Sequence, residues 1–121
     1  MAKQGHFRRA HSDENHIVDE LYEKGGVGLR IPISGAGRFK GDVIGFINGG
    51  IELVLVRRTE RNGPVRFSKM EIYDLLVQIG KLRRLIPHIL ILPVLYAHRP
   101  REKKWVRTVV TREMLNGLVE F

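Results

Sequence analysis

The chain has no cysteine. That excludes disulfides, thiol nucleophiles and thiolate metal sites, and it sets a reducing, cytoplasmic setting as the expectation. Two Gln and four Asn are all the side-chain amides it carries, a scarcity that leans towards a heat-adapted source. No apolar run is long enough to span a bilayer. The longest, "LIPHILILPVLYA", is broken by Pro87, His88 and Pro93, so no membrane partner is expected. The opening "MAKQGHFRRAHS" lacks the hydrophobic stretch of a secretory signal, so export is not expected either. Those first twelve residues also hold no acid.

What the chain has in excess is positive charge. Twenty-one Lys and Arg oppose thirteen Asp and Glu, a net +8 over 121 residues, and the calculated pI is near 10.3. The length fits one domain, and an apolar share of 43% is enough for one core. A polyanionic partner is the natural reading of the charge, with a solvated basic surface as the plain alternative. Its distribution favours the first. Asp13 to Glu23 contains five acids and no Lys or Arg, whereas "HRPREKKWVR" from His98 to Arg107 contains five bases and one acid.

Residues 1–12, with Lys3, Arg8 and Arg9, read as a basic arm that orders only against a partner, and 13–121 as the folded domain. Ser12 is placed to cap a helix whose stripe is Ile17, Val18 and Leu21, ending at the glycines of "KGG". A short strand follows around Val27–Ile31, then the irregular loop "PISGAGRFKG". Asp42–Ile47 and Ile51–Arg58 read as a hairpin turning at Asn48-Gly49. "TERNGPVRFS" reads as a loop, and Ser68 caps a helix from Lys69 to about Leu85 that Pro87 stops. "HILILPVLYA" is a strand covered on both faces, "WVRTVV" another, and Thr111–Leu118 a closing helix. The order α-β-β-β-α-β-β-α predicts an α/β domain with a central mixed sheet flanked by helices.

A metal-dependent nuclease binds Mg²⁺ through one or two carboxylates and deprotonates a water beside the scissile phosphate. A carboxylate and a lysine two positions apart on a strand share one sheet face, the acid for metal and the lysine for water or phosphate. This sequence resembles the archaeal Holliday-junction resolvases, a branch of the PD-(D/E)xK nucleases, over about Asp13 to Leu115. The family's helix glutamate corresponds to Glu14 in "ENHIVDELYEKGG", its Pro-x-Ser-Gly loop to Pro32-Ile33-Ser34-Gly35, and its hairpin aspartate to Asp42. Gly41 replaces the proline before that aspartate, and the Glu-x-Lys element falls on Leu55-Val56-Arg57. The resemblance implies a restriction-endonuclease-like fold, a homodimer, and Ser34 beside the site.

Leu55 has no lone pair for a cation, and Glu52, an odd offset away, points to the opposite face. Arg57 keeps the charge of the lysine and can grip phosphate with its fork, but it cannot accept a proton. The reading is therefore a catalytically silent site with vestigial Glu14, Asp42, Leu55 and Arg57, no metal and no cofactor. Phosphate contacts are expected from Arg8, Arg9, Arg30, Ser34, Arg38, Lys40, Arg57, Arg58, Arg99, Arg101, Lys103 and Lys104. The five histidines, His6, His11, His16, His88 and His98, show no paired ligand spacing. Trp105 beside Lys103 and Lys104 either stacks on a base or packs on the last helix. Three functions remain open. The first is a structural RNA-binding component of a ribonucleoprotein such as an archaeal ribosomal subunit. The second is a junction DNA binder, or an Mg²⁺-dependent junction endonuclease of altered site. The third is a protein adaptor docking through the Leu55 surface.

Overall fold

Alternation along a single strand sets up the architecture. The structure, a computed structural model, describes residues 2–31, 39–59, 63–116 and 119–121, with 2–11 described by their backbone alone. The elements are α1 (Ala2–Glu23), β1 (Val27–Arg30), β2 (Val43–Ile47), β3 (Gly50–Arg58), β4 (Arg66–Phe67), α2 (Lys69–Leu85), β5 (Ile91–Arg99), β6 (Lys104–Val109) and β7 (Val119–Glu120). Five strands form one sheet in the order β1-β2-β3-β5-β6, and β4 and β7 form a separate pair. Only β3 and β5 run parallel within the large sheet, as the intervening α2 crossover requires.

On β3, Leu53 turns towards α2 and packs with Ile72, Leu75, Ile79 and Leu95. Its neighbour Val54 turns the other way and packs with Ile17, Leu21 and Val94 beneath α1. Period-two burial on the strands thus meets period-3.6 stripes on two helices, one per face. The seat for α1 is a pair of glycines. Gly28 and Gly45 are direct cross-strand partners, and a Cβ built on either would stand 2.6 or 2.8 Å from Leu21 Cδ1. Bare backbone there lets the helix lie close.

Local signals fix other boundaries. Asn48 and Gly49 both adopt positive φ, 53° and 72°, as a two-residue hairpin turn needs. Ser68 caps α2 through a complete capping box with Glu71, and Pro87 follows two residues after the last helical position. Among the described residues no helix is long and apolar enough to cross a membrane.

Three expectations are corrected. The first helix begins at Ala2 rather than at Ser12, so the backbone of the expected basic arm is helical. Ala, Lys, Gln and Arg dominate that stretch, and their helix propensity outweighs Gly5. The closing α-helix is instead a 3-10 segment, Arg112–Asn116, and Val119 and Glu120 pair with Phe67 and Arg66. That same pairing turns part of the expected loop "TERNGPVRFS" into β4.

Candidate functional site

Strand β3 outruns its neighbour. The ladder with β2 stops at the Val43–Val54 pair, leaving Leu55 to Arg58 without a β2 partner on that side. Asp42, at the splay, fills the gap. Its backbone N–H donates to Val54 O at 2.7 Å, and its Oδ2 accepts the Val56 N–H at 2.8 Å. Beside it opens a cleft of about 260 Å³ lined by Lys40, Asp42, Leu55, Arg57, Glu71 and Asp74. The structure therefore brings Asp42, Leu55 and Arg57 together, as the hairpin spacing predicts.

Glu14 of α1 does not line this cleft but is near enough to feel the charge of Asp42. Its carboxyl is pushed up to about 7, by burial first, then by the charge of Asp42 and, more weakly, Asp13, against the pull of Arg30. Desolvation and a like charge both disfavour the ionised form. Glu52 lies elsewhere, as its offset predicts. It is buried on the α1 face and ion-paired with Arg107 of β6. Ser34 and Arg38 lie outside the described residues, and nothing is described of the Arg8 and Arg9 side chains.

The expected phosphate-binding cations fall into two groups. Three are engaged by carboxylates. Arg57 is ion-paired with Glu71 of α2, donates through Nη1 to Arg66 O at 3.2 Å, and lies over the Phe67 ring with its Cζ 5.4 Å from the centroid. Arg58 donates to both Asp13 oxygens, at 2.6 and 2.8 Å. Arg99 pairs with Glu102 at 2.7 Å. The others, Arg30, Lys40, Arg101, Lys103 and Lys104, show no ion pair among the described residues. Arg30, Arg101, Lys103 and Lys104 are exposed, and Lys103 sits in the left-handed region that turns β5 into β6.

Register gathers both groups at one end of the sheet. Arg30 ends β1 opposite Val43, Arg57 and Arg58 end β3 beside Ala97 and His98, and Arg99 faces Lys104. From β1 to β6 is four strand spacings, roughly 19 Å, so the basic residues flank the acidic cleft along a rim about that wide. Helix α1 meets this end at Asp13, and its residues 2–12 run some ~16 Å further along the axis.

A second cluster at this end was not legible beforehand. Trp105 lies between two imidazoles: its ring is 3.9 Å from His98 and 7° from parallel, and 4.5 Å from His16 at 13°. It thus packs on neither a last helix nor open solvent, and both faces of the indole are covered. His98 Nδ1 lies 3.0 Å from Asp13 Oδ1, on the carboxylate that holds Arg58. Burial pushes the His98 pKa down, Asp13 opposes the fall, and Arg58 and His16 add to it. The residues come from α1, β3, β5 and β6, and Asp13 and His98 alone are 85 positions apart, so no sequence window contains them. Glu71 did leave a signal, the Ser68-x-x-Glu71 capping box, which reads as a helix start and gives no hint of Arg57.

No family model and no curated protein matches the chain. A five-stranded mixed sheet with a helix on each face, and an acid where the hairpin splays from the third strand, is a resolvase-like α/β fold. Among solved structures the chain is similar to Hjc, a Holliday junction resolvase from the archaeal hyperthermophile Archaeoglobus fulgidus, with a TM-score of 0.62. The two are 21% identical, over 79% of this chain and 72% of that one. The likeness to archaeal resolvases that the motifs carry extends to the fold.

Proposed function

We propose that this chain binds nucleic acid along the end of the sheet where β1, β3 and β5 finish, and that it does not hydrolyse what it binds. The observation that carries the proposal is the convergence there of Arg30, Lys40, Arg57, Arg58, Arg99, Arg101, Lys103 and Lys104, drawn from five segments of the chain. In open α/β sheets ligands bind outside the carboxyl ends of the strands, and a cationic rim draws a phosphate backbone by releasing its counterions.

The silence of the site follows from its donors. Leu55 occupies the strand position where the resolvase pattern has a carboxylate, and Asp42 Oδ2 already accepts the Val56 amide. Arg57 cannot serve as a base. Octahedral Mg²⁺ finds too few oxygens in this set, so the donors do not fit the ion. Among the described residues no three His, Asp or Glu side chains are grouped to hold a metal.

Two partners suit such a rim. RNA within a ribonucleoprotein such as an archaeal ribosomal subunit is favoured by the basic segment of α1, which extends past the sheet towards any bound backbone. Branched DNA is the second reading, favoured by the fold shared with a junction resolvase. A homodimer has a surface to use. Val27 and Phe46 are cross-strand partners, and with Leu29 they leave an exposed apolar face on the outer strands.

The test is to purify the tagged chain from its native cells, identify the nucleic acid that accompanies it, and incubate the protein with a four-way DNA junction and Mg²⁺. Enriched RNA or branched DNA, with the junction left intact, supports the reading. Protein free of nucleic acid, or Mg²⁺-dependent cutting lost in Asp42→Ala, overturns it.

A further inference from the structure

Arg57 lies at the mouth of the cleft with its guanidinium already paired. We propose that Glu71 is a built-in substitute for a phosphodiester: it holds Arg57 in the free protein and gives it up when a backbone phosphate enters the cleft. The inference rests on the nucleic-acid reading above and names how that site engages its ligand.

Four features of the pair suit exchange better than permanent bracing. First, it is accessible, with side-chain exposures of 42% for Arg57 and 32% for Glu71. By contrast, Asp13, which grips Arg58, is only 5% exposed. Second, Glu71 is anchored without Arg57. Its Oε1 accepts from the Ser68 amide at 3.3 Å and from Ser68 Oγ at 3.1 Å, and a carboxylate in the first turn of α2 is favoured by the helix dipole. Once Arg57 departs, Glu71 keeps these partners and gains water. Third, Arg57 is aimed without Glu71, because Arg66 O and the Phe67 ring hold the guanidinium at the cleft. Fourth, a planar fork that receives a carboxylate can receive two phosphate oxygens in the same way, and Lys40 lines the same cleft as a second cation.

The physical consequence is a threshold. A ligand must displace a tethered carboxylate before it gains Arg57, so an anion that meets only this one position gains little. A polyanion held along the whole rim meets that cost from its other contacts. Glu71 thereby selects for an extended backbone over single anions.

The experiment measures the fluorescence anisotropy of a labelled four-way DNA junction and a labelled RNA stem-loop with the full chain. The proteins are wild type, Glu71→Gln, Arg57→Ala, the double variant, and Asp74→Asn. Glutamine at the third helical position preserves the capping box, so Glu71→Gln keeps the fold, which an unchanged far-UV spectrum verifies. Glu71→Gln is expected to bind about threefold to fivefold tighter, the yield of freeing one part-exposed ion pair. In the Arg57→Ala background the same change does nothing. Asp74→Asn, which removes an acid of the cleft that does not hold Arg57, gains less. A wild type that binds while Glu71→Gln binds no tighter overturns the inference, and so does a gain that survives the loss of Arg57. If no variant binds either probe, the nucleic-acid reading falls and takes this inference with it.

Discussion

The indole of Trp105 and the imidazole of His98 are stacked 3.9 Å apart, centroid to centroid, and within 7° of parallel. Because Trp105 is the only tryptophan in the chain, its emission reports directly on this ring. Burial holds His98 neutral below the usual imidazole value. A base with a depressed pKa binds fewer protons folded than unfolded, so its stabilising contribution is complete above about pH 6.5 and is lost as pH falls through the lower folded value. Trp105 emission should stay level from alkaline pH to about 6.5 and drop below it, as a charged imidazole quenches the indole. Titrating wild type against His98→Gln checks this, and an identical profile in both removes His98 as the cause.

Glu14 has the opposite sign. With its folded pKa raised to about 7, its carboxyl favours the folded state below the ordinary carboxylate value, and that advantage is lost as pH rises through about 7. Glu14→Gln should therefore stabilise the protein by roughly 1 kcal/mol at pH 8, after discounting for a half-exposed site, and by almost nothing at pH 4. For a domain of this size that is a rise in Tm of roughly 4 °C, read by thermal melts at the two pH values.

Asp13 is buried between Arg58 and His98. Asp13→Asn removes the charge that Arg58 faces and should cost about 3 kcal/mol, the lower end of the range for breaking a buried pair because Arg58 keeps some access to water. Urea midpoints measure the loss. A change under about 0.5 kcal/mol, the level of an ordinary surface substitution, would mean that the pair does not hold α1 to the sheet.

Arg101 and Lys104 are exposed and bear no ion pair among the described residues. Replacing both by Ala should weaken nucleic-acid binding and reduce the slope of log K against log salt by about 2 if the partner is duplex. Lys103 is better left in place, since its positive φ of 51° makes a substitution there a test of the turn as well as of charge. An unaltered salt slope would exclude the β5–β6 turn from the interface.

Much of the fold was open to reading wherever a local rule decided it. Ser68 and Pro87 bounded α2, Asn48-Gly49 marked the hairpin, and Ile17 with Leu21 marked the buried stripe of α1. The spacing of the hairpin likewise places Asp42, Leu55 and Arg57 beside one cleft, since strand periodicity decides which side chains share a face. What escaped was whatever depends on register between distant segments. Trp105 meets His16 and His98 only because β6 pairs with β5 and α1 packs on the same face of the sheet. Arg57, expected to be available to phosphate, meets Glu71 because α2 begins beside the end of β3. Two-residue strands such as β4 and β7 have no periodicity to detect, and the helical start at Ala2 reflects summed propensity where charge pattern suggested an arm that orders only against a partner.

The hydrogen bond from the Val56 amide to Asp42 has a wider implication for how such clefts are interpreted. Once a hairpin parts before its longer strand ends, an amide is stranded, and a short acidic side chain at the parting is an economical cure. An acid at that spot answers a need of the backbone before it answers any need of a reaction. Its presence is therefore compatible with an enzyme or with an inert scaffold. The proposal that this chain does not cut leans on the aliphatic Leu55 of the longer strand, and not on Asp42.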